Sequence, residues 1–369
     1  MEIIEFFEDV DTEREYNGYY YSVGEALTIV ILGTFCGLKN IRQIHQWADN
    51  ERIRNFLKEN FSIDKIPCYY WLTCLIKIIN PSSFNQCFIK WIESVFIGDK
   101  QNLTVSCDGK TIRSTCAMKS YDSPLHIISA QIAELGITFA QESTKAKSNE
   151  IPAVQELLEK LNISGCMIVA DALNCQKATA EKIRSSKADY LLCVKKNHKT
   201  MYEDVTAYTK TDKFKQSADK FETHEKGHGR VESRICYTTD DIKCFGWRKE
   251  WKGLKSVGVI HRITSDNKGT RNEWHYYICS KKITAEEMLR HARLEWSVET
   301  MHWLLDVHFD EDGCRVLDKN LQKNLNMARK IVLNQMRLWK QHNNPQKPFS
   351  HIMLDCLLNP ECIVGIIKN

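Results

Sequence analysis

No two cysteines of this chain stand in a C-x-x-C spacing, although there are 15 of them. An odd and scattered set, including Cys36, Cys68, Cys107, Cys175, Cys236 and Cys314, provides neither a disulfide framework nor a zinc module and points to a reducing compartment. No apolar run reaches the length of a membrane span, and the acidic first residues are unlike a signal peptide. Internal repeats and low-complexity tracts are absent too. Net positive charge is slight, +4 overall, but it is unevenly placed. Residues 1–15 carry seven acids against Arg14, a local balance of −6 that leaves +10 for the remainder. A moderately basic body suits a polyanionic partner. At 369 residues the chain is long for a single core, so two or three domains are expected.

Residues 20–96 read as helical, from Val23–Leu32 through Asn40–Trp47 to Trp71–Ile79. After a turn at Asn80-Pro81, Phe84, Phe88, Trp91 and Ile92 recur at helical spacing. From residue 103 the pattern becomes strand-like. His126–Ala133 and Ile137–Gln141 flank a short connection at Glu134-Leu135-Gly136 that predicts a hairpin. A helix capped by Ser148 or Asn149 follows, with Ile151, Val154, Leu157, Leu158 and Leu161 on one face. Strands ending at Asp171 and Val194, separated by a helix near 175–186, complete an alternation that predicts a mixed sheet with helical crossovers. Residues 196–280 read as β-rich. Thr284-Ala-Glu-Glu287 has the form of a capping box and opens one long helix, and Asn320–Gln341 predicts another.

Two stretches organise the candidate chemistry. Leu103–Arg113 is a half-apolar strand running into Asp108 and then a glycine turn, and Cys166–Asp171 is five small or apolar residues ending in a second aspartate. Such runs read as buried parallel strands with their acids at the sheet rim, where neighbouring strands lie about 4.8 Å apart. On the helix opened at Thr284, Leu294, Val298, Met301 and Leu305 should face the core, with Glu295, Glu299, His302 and Asp306 one residue later along its edge. Phosphodiester chemistry through two metal ions needs such a cluster of carboxylates. Lys110, Arg113 and the run Lys195-Lys196-Asn197 lie where they can meet phosphates, and Arg293 joins them. His224 and His228 lack metal-ligand spacing, so His228-Gly229-Arg230 is expected to approach DNA or shape a turn. Trp296 and Trp303, seven apart, are expected in the core.

At these residues the chain resembles the H-repeat-associated transposases of bacterial insertion sequences, DDE transposases with an RNase H-like core. The resemblance runs over most of the chain and is densest at Asp108–Arg113, His126–Ala130, Lys147–Ile151, Asp171–Gln176, Lys195–Asn197, His228–Glu232 and Glu299–Val307. It implies that Asp108, Asp171 and Glu299 are the catalytic, metal-binding acids, 63 and 128 residues apart, with a β-rich insertion before the last. It also implies two Mg²⁺ ions per site with Mn²⁺ as a substitute, double-stranded DNA as partner, a homodimer or larger assembly on DNA, and a cytoplasmic, nucleoid-associated location. The fold class expected is α/β: an RNase H-like mixed sheet with crossover helices, preceded by a small all-α domain and interrupted by a β-rich insertion. The expected divisions are 1–98 (helical domain), 99–195 (first part of the core), 196–282 (insertion), 283–342 (C-terminal core helices) and 343–369 (tail). The chain departs from its relatives near the third acid. Ala292, Glu295 and Asp306 occupy places where many related transposases carry tyrosine, arginine and lysine, so an extra acid can compete for metal. Lys65-Ile-Pro-Cys68 departs likewise in the helical part. A nuclease that cuts without joining, and an inactive DNA-binding relative, are the alternative functions.

Overall fold

The computed structural model describes residues 6–16, 20–95, 101–115, 124–144, 150–227 and 229–368. Five helices come first: α1 (Val23–Phe35), α2 (Ile41–Ala48), α3 (Glu51–Phe61), α4 (Tyr69–Ile78) and α5 (Pro81–Val95). Their starts follow local chemistry. Ser22 and Glu25 form a reciprocal capping box on α1, Asn40 and Asn50 cap α2 and α3, and Pro81 opens α5, where no amide hydrogen is needed.

The sheet begins with β1 (Thr104–Ile112), β2 (Leu125–Ile132) and β3 (Ile137–Thr144), the last two joined by the expected hairpin. Then follow α6 (Glu150–Glu159), β4 (Met167–Ala170), α7 (Lys177–Ser185) and β5 (Asp189–Val194). The proposed caps of α6, Ser148 and Asn149, lie outside the described residues. β1, β4 and β5 are parallel, whereas β1, β2 and β3 are antiparallel neighbours. The order β3-β2-β1-β4-β5 with those directions is the RNase H-like arrangement.

The β-rich segment opens with α8 (Lys199–Thr209) and α9 (Asp212–Ser217), then adds β6 (Asp219–Gly227), β7 (Arg230–Thr239), β8 (Ser256–Asp266) and β9 (Gly269–Cys279). It continues the same sheet, because β9 pairs antiparallel with β5 and the nine strands run β3-β2-β1-β4-β5-β9-β8-β7-β6. Only Tyr276–Cys279 of β9 lie against β5, so residues 269–275 run on past the C-terminal end of β5. At 3.4 Å per residue that overhang is roughly 24 Å.

The Thr284–Glu287 capping box is present, but the single long helix is not. It is broken into α10 (Ala285–Leu294) and α11 (Ser297–Phe309), with Trp296 at φ −79° and ψ −2° between them. Then come α12 (Lys319–Asn343), α13 (Phe349–Leu358) and α14 (Glu361–Ile367). The tail expected past residue 342 is therefore helical. Ile352, Met353 and Cys356, then Ile363, Ile366 and Ile367, are apolar at helical spacing and buried.

One apolar cluster holds Leu27, Ile31 and Phe35 of α1, Val105 and Cys107 of β1, and Ile331, Val332 and Met336 of α12. The helical N-terminal part thus shares its core with the sheet. Apart from Lys323, α12 is buried from Leu321 to Met336 although many of those side chains are polar, and several of these donate to neighbouring elements. Asn324 donates to the carbonyls of Ile76 (2.9 Å) and Ile79 (3.1 Å), and Asn334 exchanges two bonds with the Thr138 backbone. Among the described residues no helix is long and apolar enough to cross a membrane.

Candidate active site

β1 fixes the first acid. Its parallel pairing with β4 ends at Cys107↔Ala170, so Asp108 and Asp171 are the next residue on each of two adjacent parallel strands. The glycine turn expected after Asp108 does not occur. β1 continues to Ile112 because its other neighbour, β2, goes on pairing with it, Asp108 lying opposite Ser129 and Thr111 opposite His126. Gly109 is needed inside this strand for space. A Cβ there would stand 2.6 Å from His126 Nε2 and 2.9 Å from Glu150 Oε2.

The alternate residues of β1 meet α10 and α11 in succession. Thr104 Oγ1 bonds His291 Nδ1 (2.7 Å), Ser106 Oγ bonds Ser297 Oγ (3.3 Å), Asp108 Oδ2 lies 3.7 Å from His302 Nε2, and Lys110 Nζ bonds Asp306 (2.5 Å). Strand and helix pair run alongside each other. Glu299, expected as the third acid, is in the first turn of α11 and exposed. Glu295 sits at the end of α10, half-buried, where the helix breaks.

On the other side of the rim Asp171 is held by Asn174, whose backbone amide and side-chain amide both donate to Oδ1 at 3.1 Å. The Asn174 amide also donates to buried Glu150 (3.2 Å), Glu150 Oε2 stands 3.3 Å from His126 Nε2, and His126 Nδ1 bonds Thr111 (2.8 Å). His126, Glu150 and Asn174 thus fix the second acid; all three lie in stretches where the resemblance is densest, His126–Ala130, Lys147–Ile151 and Asp171–Gln176, but the sequence assigns none of them a role. Asn174, three residues after an aspartate, has in addition the local form of an Asx turn.

Crowding of acids governs the electrostatics. Burial raises the Asp108 carboxyl to about 6; the Gly109 amide opposes this, while the charges of Glu150, Asp171 and Glu299 add to it. Burial likewise raises Glu295 to about 7, with Asp171, Asp108 and Glu299 adding to the rise and Lys195 opposing it. Asp108, Asp171, Glu295 and Glu299 therefore share one field, to which Glu150 adds at Asp108. Burial also holds the His302 imidazole well below its ordinary range.

The expected DNA contacts divide. Lys110 is half-buried and spent on Asp306 (2.5 Å) and Glu311 (2.6 Å), with Asp312 at 3.9 Å, so it is an internal clamp and not a phosphate contact. This accounts for Asp306 as well: it belongs to the clamp and not to the cluster of acids. The Asn197 amide is committed to the Ala172 carbonyl (2.7 Å), tying the segment after β5 to the loop that carries Asp171. Arg293 is exposed but forks onto Glu225 at 2.6 and 3.2 Å, and Arg230 lies 3.6 Å from Glu232. Lys195 and Lys196 are exposed just past the end of β5, and Arg113 is exposed just past the end of β1, five residues beyond Asp108. His228 lies outside the described residues. Trp296 and Trp303 are not in the core: they are 47% and 59% exposed, and the Arg262 guanidinium lies over the Trp296 ring at 4.8 Å. Their seven-residue spacing follows the outer edge of α11, because Val298, Met301, Leu304 and Leu305 take the inner one. Beside Trp296 a cavity of about 210 Å³ opens between α10 and the β7–β9 strands, lined in part by Arg234, Arg262 and Arg293.

Among the described residues no three acidic, imidazole or thiol groups converge on one point tightly enough to hold an ion unaided. The donor set still fits a hard divalent cation. Mg²⁺ is ordinarily bound by one or two carboxylates with waters and substrate phosphates completing its shell, and the rim presents carboxylates on adjacent strands.

An RNase H-like sheet with aspartates just past the end of parallel pairing between two central strands, and further acids on a facing helix, defines a class of nucleic-acid-processing fold. The Transposase DDE domain model matches residues 119–335, more than half the chain, and the DDE_Tnp_1-associated model matches residues 4–92. The chain belongs to the DDE transposase domain family. The first match includes Asp171 and Glu299 and begins eleven residues after Asp108. The H repeat-associated protein YhhI of Escherichia coli K12 is 32% identical over 351 residues, 90% of each chain. YncI of Escherichia coli O157:H7 is 30% identical over 343 residues, 91% of this chain and 87% of its own. Among solved structures, a piggyBac transposase synaptic complex with hairpin DNA aligns at TM-score 0.43 and 8% identity, over 99% of this chain and 76% of that one.

Proposed function

We propose that this chain is a metal-dependent transposase that cleaves the ends of an insertion sequence and joins the freed 3′-hydroxyl to target DNA. The observation that carries this reading is the register Cys107↔Ala170, which sets Asp108 and Asp171 side by side at the end of parallel pairing. Glu299, whose charge Asp108 feels, is the third acid. When bound, two Mg²⁺ ions activate the attacking oxygen and stabilise the leaving one. The chain's own part is to hold and orient. Asn174 fixes Asp171 through one oxygen, and β1 carries Asp108 rigidly between two paired neighbours. Lys110 holds α11, with Glu299, against that strand. Arg113, Lys195 and Lys196 contact the phosphate backbone. The reading places the protein on DNA at the bacterial nucleoid, as a homodimer or larger assembly that brings two element ends together.

The test is a strand-transfer assay with paired oligonucleotides bearing the inverted repeats that flank the gene. Joined product is expected with Mg²⁺ or Mn²⁺ and lost in Asp108→Asn and Asp171→Asn, with DNA binding retained. Cleavage without joining identifies a nuclease. Binding without cleavage identifies an inactive relative. Full activity in either aspartate variant removes the site assignment.

A further inference from the structure

One imidazole at the site has no task in the reading above. His302 follows Glu299 by three residues on α11, so the two side chains share a face of the helix. Both of its ring nitrogens are buried, and neither has a hydrogen-bond partner among the described residues. Buried polar atoms are ordinarily paired, and an exception calls for a ligand, a water or a catalytic task.

The geometry around the ring narrows the choice. Nε2 stands 3.7 Å from Asp108 Oδ2, too far for a direct hydrogen bond. Two donors that each bind one divalent ion at about 2.1 Å stand about 3 to 4.2 Å apart, and the observed separation falls inside that range. The nearby ammonium groups are engaged elsewhere, Lys110 on Asp306 and Glu311, Lys330 on Ser129 (2.8 Å) and Gln141 (2.7 Å).

Resting on the assignment of Asp108 and Glu299 as ion-holding acids, we propose that His302 is a nitrogen ligand of the divalent ion bound at Asp108. The site is then mixed in oxygen and nitrogen. An imidazole donor raises preference for transition-metal ions over Mg²⁺ relative to carboxylates alone.

The experiment uses the full chain loaded with one equivalent of Mn²⁺ and reads electron spin echo envelope modulation. Nitrogen modulation is expected in the wild type, with its frequency changed when histidine is labelled with heavy nitrogen, a control that needs no variant. His302→Gln should lose the modulation and weaken Mn²⁺ binding relative to Mg²⁺ by about tenfold. Bound Mn²⁺ with no nitrogen modulation, or modulation that survives in His302→Gln, overturns the ligand assignment and leaves the carboxylate site standing. Failure of the wild type to bind Mn²⁺ at all overturns both. Release of the ion by Asp108→Asn while the chain still melts cooperatively ties the signal to this site.

Discussion

Removing the Lys110 ammonium would leave the carboxylates of Asp306 and Glu311 facing a vacated place, Glu311 being almost wholly buried and held on its other side by Asn326. Breaking one partner of a buried ion network costs about 3–5 kcal/mol, because the remaining charge is uncompensated. Lys110→Met is therefore expected to lower the unfolding free energy by about 3 kcal/mol, measured by urea titration; a loss below about 1 kcal/mol would mean the network is slack. His291 gives a second test. Arg290 points a guanidinium hydrogen at its Nε2 (3.0 Å), its Nδ1 lies 2.7 Å from Thr104 Oγ1, and that hydroxyl bonds Glu134 (2.6 Å). A proton on Nε2 would face the guanidinium inside the protein; burial first, then Arg290, lower this histidine to about 4. The folded state thus resists a proton that the unfolded chain accepts near its usual value of about 6.5. Stability is full above that value and falls as pH drops from about 6.5 towards 4, by up to roughly 3 kcal/mol. Denaturant midpoints across that range should show the slope in wild type and a flatter one in His291→Gln; equal slopes would refute the assignment.

At the scale of elements, the site depends on a strand with different partners on its two sides. β1 loses β4 after Cys107 and keeps β2 to Ile112, so Asp108 is both at a rim and inside a paired strand. The apolar runs ending in aspartate made the two rims legible, since a buried parallel strand has a recognisable composition. Nothing in the residues themselves says that one neighbour stops where the other continues, and Gly109 therefore read as a turn. The break between α10 and α11 was hidden for a similar reason: Leu294, Val298, Met301 and Leu305 keep helical spacing across it. Trp296 and Trp303 were misplaced with it. Gly109→Ala tests the packing between the strand and the His126–Glu150–Asn174 relay that holds Asp171. Its Cβ would press on His126, Ile128 and Glu150 together, at 2.6, 2.8 and 2.9 Å, and no one of them can yield alone. A loss of about 1–3 kcal/mol is expected, with cleavage reduced further than stability because Glu150 holds Asn174, and Asn174 holds Asp171. A variant with wild-type melting temperature and activity would show that the relay does not constrain the rim.

For the whole molecule, the overhang of the sheet and the pairing of its surface cations set where the proposed DNA partner is expected to lie. The strands β7–β9 run beyond the end of β5 on the side where Asp171 and Lys195 emerge, so the overhang forms a wall along one flank of the acids. Composition alone gave a basic body, but it could not say which cations are free, because pairing is a property of the folded surface. Arg293 is tied to Glu225 and Lys110 is internal, whereas Lys195 and Lys196 are exposed at the rim and Arg113 is exposed beyond the end of β1. Each phosphate neutralised by a cation steepens the fall of log affinity with log salt by about 0.9. Lys195→Ala with Lys196→Ala is accordingly expected to reduce that slope by about two units for duplex DNA, measured by fluorescence anisotropy between about 50 and 200 mM KCl. Arg293→Ala should leave it unchanged, since the guanidinium is already neutralised within the protein. The comparison is decisive because both variants remove exposed positive charge near the same flank. If general attraction to a basic surface drove binding, both would weaken it alike. If the rim lysines make discrete phosphate contacts, only the first changes the salt slope, and an unchanged slope in the lysine pair would move the DNA path away from this rim.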